Sequence, residues 1–148
     1  MNVLVLILRV AIGAVFIVAG ISKIGHAELF AAEIAGFRIL PQIVIAPLAL
    51  VLPFFEVLLG VYLVIGLYTR VVGIIAAIQL ALFGSAIGSA VVRGLTISCG
   101  CFGPNDKTVT SWPEVARDLF LALLAAAIAW RAPGMLALDR RMENADES

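Results

Sequence analysis

The chain has 148 residues, 63% of them hydrophobic, and a formal net charge of zero. Its mean hydropathy of +1.13 is far above that of a soluble domain, which is about half apolar and could not hide so much greasy surface in one small core. The balanced charge offers no basic face for nucleic acid, so the composition describes an integral membrane protein.

Four apolar runs are long enough to cross a bilayer as helices, at roughly 20 residues each. They are Val3 to Ile21, Ile45 to Leu67, Val71 to Val92 and Trp112 to Trp130. Lipid leaves no water to satisfy open backbone, so helices are the physical choice. The expected fold is all-α: a four-helix membrane bundle spanning residues 1–131, followed by a polar, disordered cytoplasmic tail at 132–148. The first run lacks a basic leader, and Arg9 lies within it, so it is read as retained rather than cleaved.

The first connection is the longest. Leu29, Phe30, Ile34 and Phe37 recur there at helical spacing, with Glu28 and Glu33 between them. That suggests a short helix in the membrane interface, with an ordinary loop as the alternative. The second connection, LYTR, is a tight hairpin. The third, RGLTISCGCFGPNDKTVTS, carries the only two cysteines, Cys99 and Cys101, with Gly100 between them.

A Cys-X-Cys pair closes too small a ring to restrain an unfolded chain much, and a strained, exposed disulfide is the oxidising, exchangeable kind. Gly100 accepts the dihedrals such a ring demands, and Gly103 and Pro104 turn the chain after Phe102. Redox use is therefore favoured over a structural staple, inert thiols or a metal site. Two thiolates are half a tetrahedral zinc site, but the lone histidine, His26, lies in a different loop.

Ionisable residues within the spans are expensive and are expected to face the protein interior. Arg9, Gly13, Phe16, Gly20 and Lys23 share one stripe of the first helix. Pro53, Glu56, Gly60 and Leu63 share one on the second, and Asp118, Ala122, Ala125 and Ala129 one on the fourth. Small residues let helices approach closely, and Gly84 and Gly88 offer the same on the third. Arg9–Glu56 is the expected ion pair, with Arg117 as rival partner. Arg117 and Asp118 fall towards the cysteine loop. Such pairs serve either to hold the bundle together or to line a polar pocket below the thiols.

The chain resembles the MauE family of methylamine-utilisation membrane proteins, within the wider DoxX-like group. The resemblance rests on Arg9 followed by AGISKIG, on GFRILP, on FFEVLLGVYLVIGLYTR, on ISCGCFG and on SWPEVARDLFL. It implies a four-helix membrane protein tied to redox maturation of a disulfide-rich extracytoplasmic protein, alongside a thioredoxin-like partner. Cys99 and Cys101 match the family's cysteine motif, with Gly100, Phe102 and Gly103 supporting it. Arg9, Lys23, Glu56, Arg117 and Asp118 match its polar positions.

The expected activity is a thiol–disulfide relay between Cys99 and Cys101 and a thioredoxin-fold protein. An oxidising compartment then sets the topology: both termini cytoplasmic, the CGC loop outside. The lysines and arginines barely discriminate the two orientations. Cys101, further from the membrane and accessible, is expected to be the better thiolate and to meet the partner, with Cys99 resolving. No cofactor is evident; a membrane quinone is compatible with a relay, although no quinone motif stands in the chain. The other partners expected are membrane lipid and, compatibly with the sequence, further copies of the chain. The rival function is a non-catalytic assembly factor that anchors a partner redox enzyme. A small-solute carrier leaves the thiols unexplained.

Overall fold

A computed structural model describes residues 2–103, 106–132, 141–142 and 144–145. Pro104 and most of the polar tail lie outside these residues. The described part is all-helical, with α1 at Asn2–Lys23, α2 at Ala27–Gly36, α3 at Gln42–Ile65, α4 at Thr69–Val92 and α5 at Trp112–Arg131. A single bridge between Ser98 and Val109 is the only strand-like pairing among the described residues.

Among the described residues three helices are long and apolar enough to cross a membrane: Val3–Lys23, Gln42–Ile65 and Thr69–Val92. The expected fourth span, α5, has the length at 20 residues. It is not among the three, and its sequence carries Glu114, Arg117, Asp118 and Arg131. The short helix expected in the first connection is present as α2. Phe30 is its buried residue, and α2 packs against α3. The LYTR hairpin also forms: Gly66 ends α3 in the left-handed conformation, and α4 begins three residues later.

The long helices pack in two close pairs, α1 with α3 and α4 with α5, and the pairs meet through α1 with α5 and α3 with α4. One apolar core joins them, drawing Ile12 and Phe16 from α1, Leu59 and Leu63 from α3, Ala76 from α4 and Ala125 from α5. Every residue of the three small-residue stripes is buried.

Glycine sets the α1–α3 separation. A methyl group added at Gly60 would sit 2.6 Å from the Gly13 carbonyl oxygen, and one at Gly13 would sit 2.8 Å from the Gly60 carbonyl oxygen. The backbones therefore touch, as small residues allow between membrane helices. In α4 the tight contact is Gly73, whose added methyl would lie 3.0 Å from the Ala129 Cβ. Gly84 and Gly88 make ordinary contacts at 3.4 and 3.8 Å.

Gly60→Ala should therefore push α1 from α3 and destabilise the protein by about 1–3 kcal/mol, as overpacking does. Gly88→Ala has room and should stay within about 0.5 kcal/mol of the parent. Thermal unfolding in detergent compares the two; equal midpoints would remove the glycine contact as a determinant.

Candidate functional site

The site forms where the α4–α5 loop folds back onto the ends of α1 and α2. Within the loop, Cys99 N–H donates to the Thr108 carbonyl at 3.0 Å and Thr110 N–H to the Ile97 carbonyl at 2.9 Å. Gly100 and Gly103 both adopt positive φ, +64° and +90°, where an L side chain is strained. At Gly103 backbone also leaves no room for a side chain, and at Gly100 a side chain would have to displace the Glu33 carboxylate. A Cβ at Gly100 would collide with the Glu33 carboxylate of α2, and one at Gly103 with the Ser22 carbonyl of α1. The CGC glycines are the loop's seat on the helices.

Cys99 and Cys101 are both free thiols. The loop does not project them outward as the sequence suggested. Cys99 is 7% exposed, packed with Ile87 and Val115, and Cys101 is half-buried against the same cluster. The Cys99 sulfur lies 3.7 Å from Asp106 Oδ2. The Cys101 sulfur lies 3.8 Å from the Cys99 carbonyl oxygen. Arg117 of α5 stacks over the Phe102 ring at 5.5 Å and lies near both thiols, favouring their ionised forms.

The expected order of the thiols is reversed. Hydrogen bonding from the Cys101 side chain is the largest influence on Cys99 and holds it below the usual thiol range, against burial. Cys101 is pushed up, first by that same bond to Cys99 and then by burial. The shared proton outweighs the desolvation that was expected to penalise Cys99. Nearby, burial raises the Glu33 carboxyl, partly offset by its hydrogen bond from Ser98. Asp106 is held low: burial opposes this, but Thr108 donates to its carboxylate from both side chain and backbone.

Beneath the loop lies a second polar cluster. Lys23 Nζ donates to Glu56 Oε2 at 2.8 Å and to Oε1 at 3.0 Å, with both side chains at 3% exposure or less. Gln79 Nε2 donates to Glu56 Oε1 at 3.3 Å. The Lys23 ammonium also faces the Phe30 and Phe83 rings at 5.1 and 5.8 Å. Glu56 is thus paired, but with neither Arg9 nor Arg117. The reason is register. Gly13 faces Gly60 and Gly20 faces Pro53 and Val57, so Glu56 falls between those contacts, towards the Lys23 end of α1. Arg9 is buried at 1% exposure further along α1, beyond Gly13. Arg117 instead binds its neighbour Asp118, at 2.9 Å.

A cavity of about 360 Å3 connects the two clusters, lined by Cys99, Gly100 and Cys101 at one end and by Lys23, Glu56 and Gln79 at the other. Phe102, Arg117 and Asp118 also line it. Nine of the ten residues singled out from the sequence therefore converge here, Gly103 through the loop's seat and Arg9 excepted. Glu33, Gln79 and Asp106 were missed. Gln79 had a signal, as the one side-chain amide in an otherwise apolar span. Glu33 read only as the polar side of α2. Among the described residues no group of three histidine, cysteine or acidic side chains gathers as a metal site.

The family model for methylamine utilisation protein MauE matches residues 1–131. The chain belongs to the MauE family. It is 39% identical over 127 residues to the Methylamine utilization protein MauE of Paracoccus denitrificans, covering 85% of this chain and 68% of that protein. Identity to the MauE of Methylorubrum extorquens is 39% over 116 residues, covering 78% of this chain and 62% of the relative. The MauE of Methylophilus methylotrophus is 30% identical over 120 residues, covering 80% and 63%. The chain thus spans about two thirds of the length of these relatives. No solved structure matches it.

Two outcomes follow from this geometry. Lys23→Met or Glu56→Gln alone strands a buried charge or donor and should cost about 3–5 kcal/mol, whereas the double variant should recover most of the loss. Detergent-extracted yield and melting temperature measure it; a double variant no better than the singles would break the pairing. For the thiols, Cys99 should be alkylated by iodoacetamide with a midpoint below the ordinary thiol range, and Cys101→Ala should move that midpoint upward by removing the donated hydrogen bond. An unchanged midpoint would mean that Cys101 does not set the Cys99 thiolate.

Proposed function

We propose that this chain is a membrane thiol–disulfide relay that supports maturation of an extracytoplasmic protein in methylamine utilisation. The observation that carries the reading is the CGC pair itself: two free thiols, one glycine apart, with the Cys101 side chain holding the Cys99 proton equilibrium low. The names of the MauE relatives supply the metabolic context.

In this reading α5 is a fourth span that completes a four-helix bundle. Its charged face turns inward: Asp118 is 4% exposed and paired with Arg117, while Leu123 and Trp130 face outward at 71 and 86%. Both termini lie in the cytoplasm, and the CGC loop faces the oxidising side, where a disulfide persists.

The cycle begins with the Cys99–Cys101 disulfide. A thiolate of a thioredoxin-fold partner attacks Cys101, the cysteine with the larger exposed surface as a residue. The intramolecular S–S bond breaks, and Cys99 leaves as a thiolate, which its lowered pKa favours because lower-pKa thiols leave faster. The partner's second thiolate then attacks its own sulfur in the mixed disulfide and releases Cys101. The partner has lost two electrons and the CGC pair has gained them. Cys101 thus carries the intermolecular bond, as expected from the sequence, but through accessibility and the leaving group rather than through its own acidity.

A second reading has its own support. The loop is pinned at Glu33, Ser22 and Thr108, which suits a fixed docking element for an assembly factor.

Run in reverse against an oxidised partner, the Cys101 thiolate opens the partner's disulfide and Cys99 then releases it, so Cys99→Ser should hold a covalent complex on a non-reducing gel, dissolved by dithiothreitol, and Cys101→Ser should hold little. Full function of a variant with serine at both positions would sink the relay and leave the assembly factor. Labelling of the loop in intact cells with a membrane-impermeant maleimide tests the orientation independently.

A further inference from the structure

The relay leaves its thiols reduced, so a second reactant must remove two electrons before the next turn. The cavity below the loop has the features of a site for one. Its volume of about 360 Å3 falls within the range of small-molecule sites, ~300–1,000 Å3. It reaches the thiols at one end and a buried polar cluster at the other. Its lining includes Ile39, Leu40 and Leu82, which are 52, 40 and 66% exposed. Leu82 lies on a candidate span, so the cavity opens towards the side of the molecule that faces lipid.

The polar end is unfinished. Gln79, 8% exposed, presents a buried Oε1 with no hydrogen-bond partner. An unmet buried acceptor is costly, and a ligand's O–H would remove that cost. Beside it, Lys23 directs bonds to both Glu56 oxygens, and an ammonium carries a third N–H. The site therefore offers one donor and one acceptor at the end of an apolar, phenylalanine-lined space.

Charge narrows the occupant. An anionic headgroup would meet Glu56 and Asp118, and a cationic one Lys23 and Arg117. An acyl chain has no atom to offer Gln79. A neutral ring with an oxygen that accepts when oxidised and donates when reduced fits both groups.

We propose that this cavity binds a lipid-soluble quinone, which oxidises the Cys99–Cys101 dithiol. The proposal rests on the relay reading and names its electron acceptor. The quinone carbonyl accepts from Lys23, and the quinol O–H donates to Gln79 Oε1. The two S–H bonds break, the Cys99–Cys101 S–S bond forms, and two electrons and two protons convert the quinone to the quinol. Atoms and charge balance without another reactant.

The test uses the full chain, reduced and held without oxygen in lipid nanodiscs, with decylubiquinone as the probe. Quinol should appear in one-to-one proportion to dithiol lost. Gln79→Leu should weaken inhibition by added decylubiquinol by about tenfold, the equivalent of one hydrogen bond at the upper end of its usual range. Ala86→Phe, which fills the cavity away from the polar cluster, should weaken the apparent affinity for the quinone. Both variants should keep the parental helical circular dichroism in the nanodiscs, which shows that they fold. If the parent exchanges with the dithiol but yields no quinol, the quinone site is refuted and the relay stands. If the thiols exchange with nothing, the relay itself falls. Quinol inhibition unchanged in Gln79→Leu, together with quinone reduction unchanged in Ala86→Phe, would make the cavity a lipid-tail pocket and overturn the assignment.

Discussion

A lysine ammonium buried beside a carboxylate organises this molecule. Lys23 ends α1, yet its long stem carries the charge inward to Glu56 of α3, Phe30 of α2 and Phe83 of α4. Isolated, either charge would be prohibitive away from water; together, with Gln79 as a further donor, they satisfy each other. The pair demands that α1 and α3 lie close and in one register, and the glycines at 13, 20 and 60 allow it. The same lysine holds α2 in place, and α2 supplies Glu33, against which the CGC loop rests. Removing the ammonium would therefore loosen the cysteine loop through two intervening elements.

Helix periodicity made much of this legible. The stripes containing Arg9, Lys23, Glu56 and Asp118 all turned out to be buried, because the 3.6-residue repeat of a helix fixes which side chains share a face. Pairing between stripes was not legible. It depends on how far one helix slides along another, and two or three glycine contacts decide that. Lys23 and Arg9 lie 14 residues apart on α1, about 21 Å, so the slide of α3 along α1 decides which of them Glu56 can reach. The status of α5 was also less certain from composition than its length implied, since its charges are concentrated in the first two turns.

The loop taught the opposite lesson. Its two thiols were plain from CGC, but its posture was not. Two glycines in a turn read as freedom, whereas here they permit contact: Gly103 presses backbone onto α1 where any side chain would collide, and Gly100 lies against the Glu33 carboxylate of α2. Burial follows, and with it the reversed acidity of the thiols. Local sequence cannot reveal the charges that meet these thiols, because Arg117 reaches them from α5.

The Lys23–Glu56 pair also determines how the protein responds to an energised membrane. A single charge crossing the full bilayer gains about 2.3 kcal/mol per 100 mV. These two charges cancel, and their atoms are 2.8 Å apart, about a tenth of a ~30 Å hydrocarbon core. The voltage therefore acts on a short dipole and changes its energy by at most roughly 0.2 kcal/mol per 100 mV. The polar heart of the protein is electrically quiet, and its geometry stays the same whether the cell is charged or depolarised.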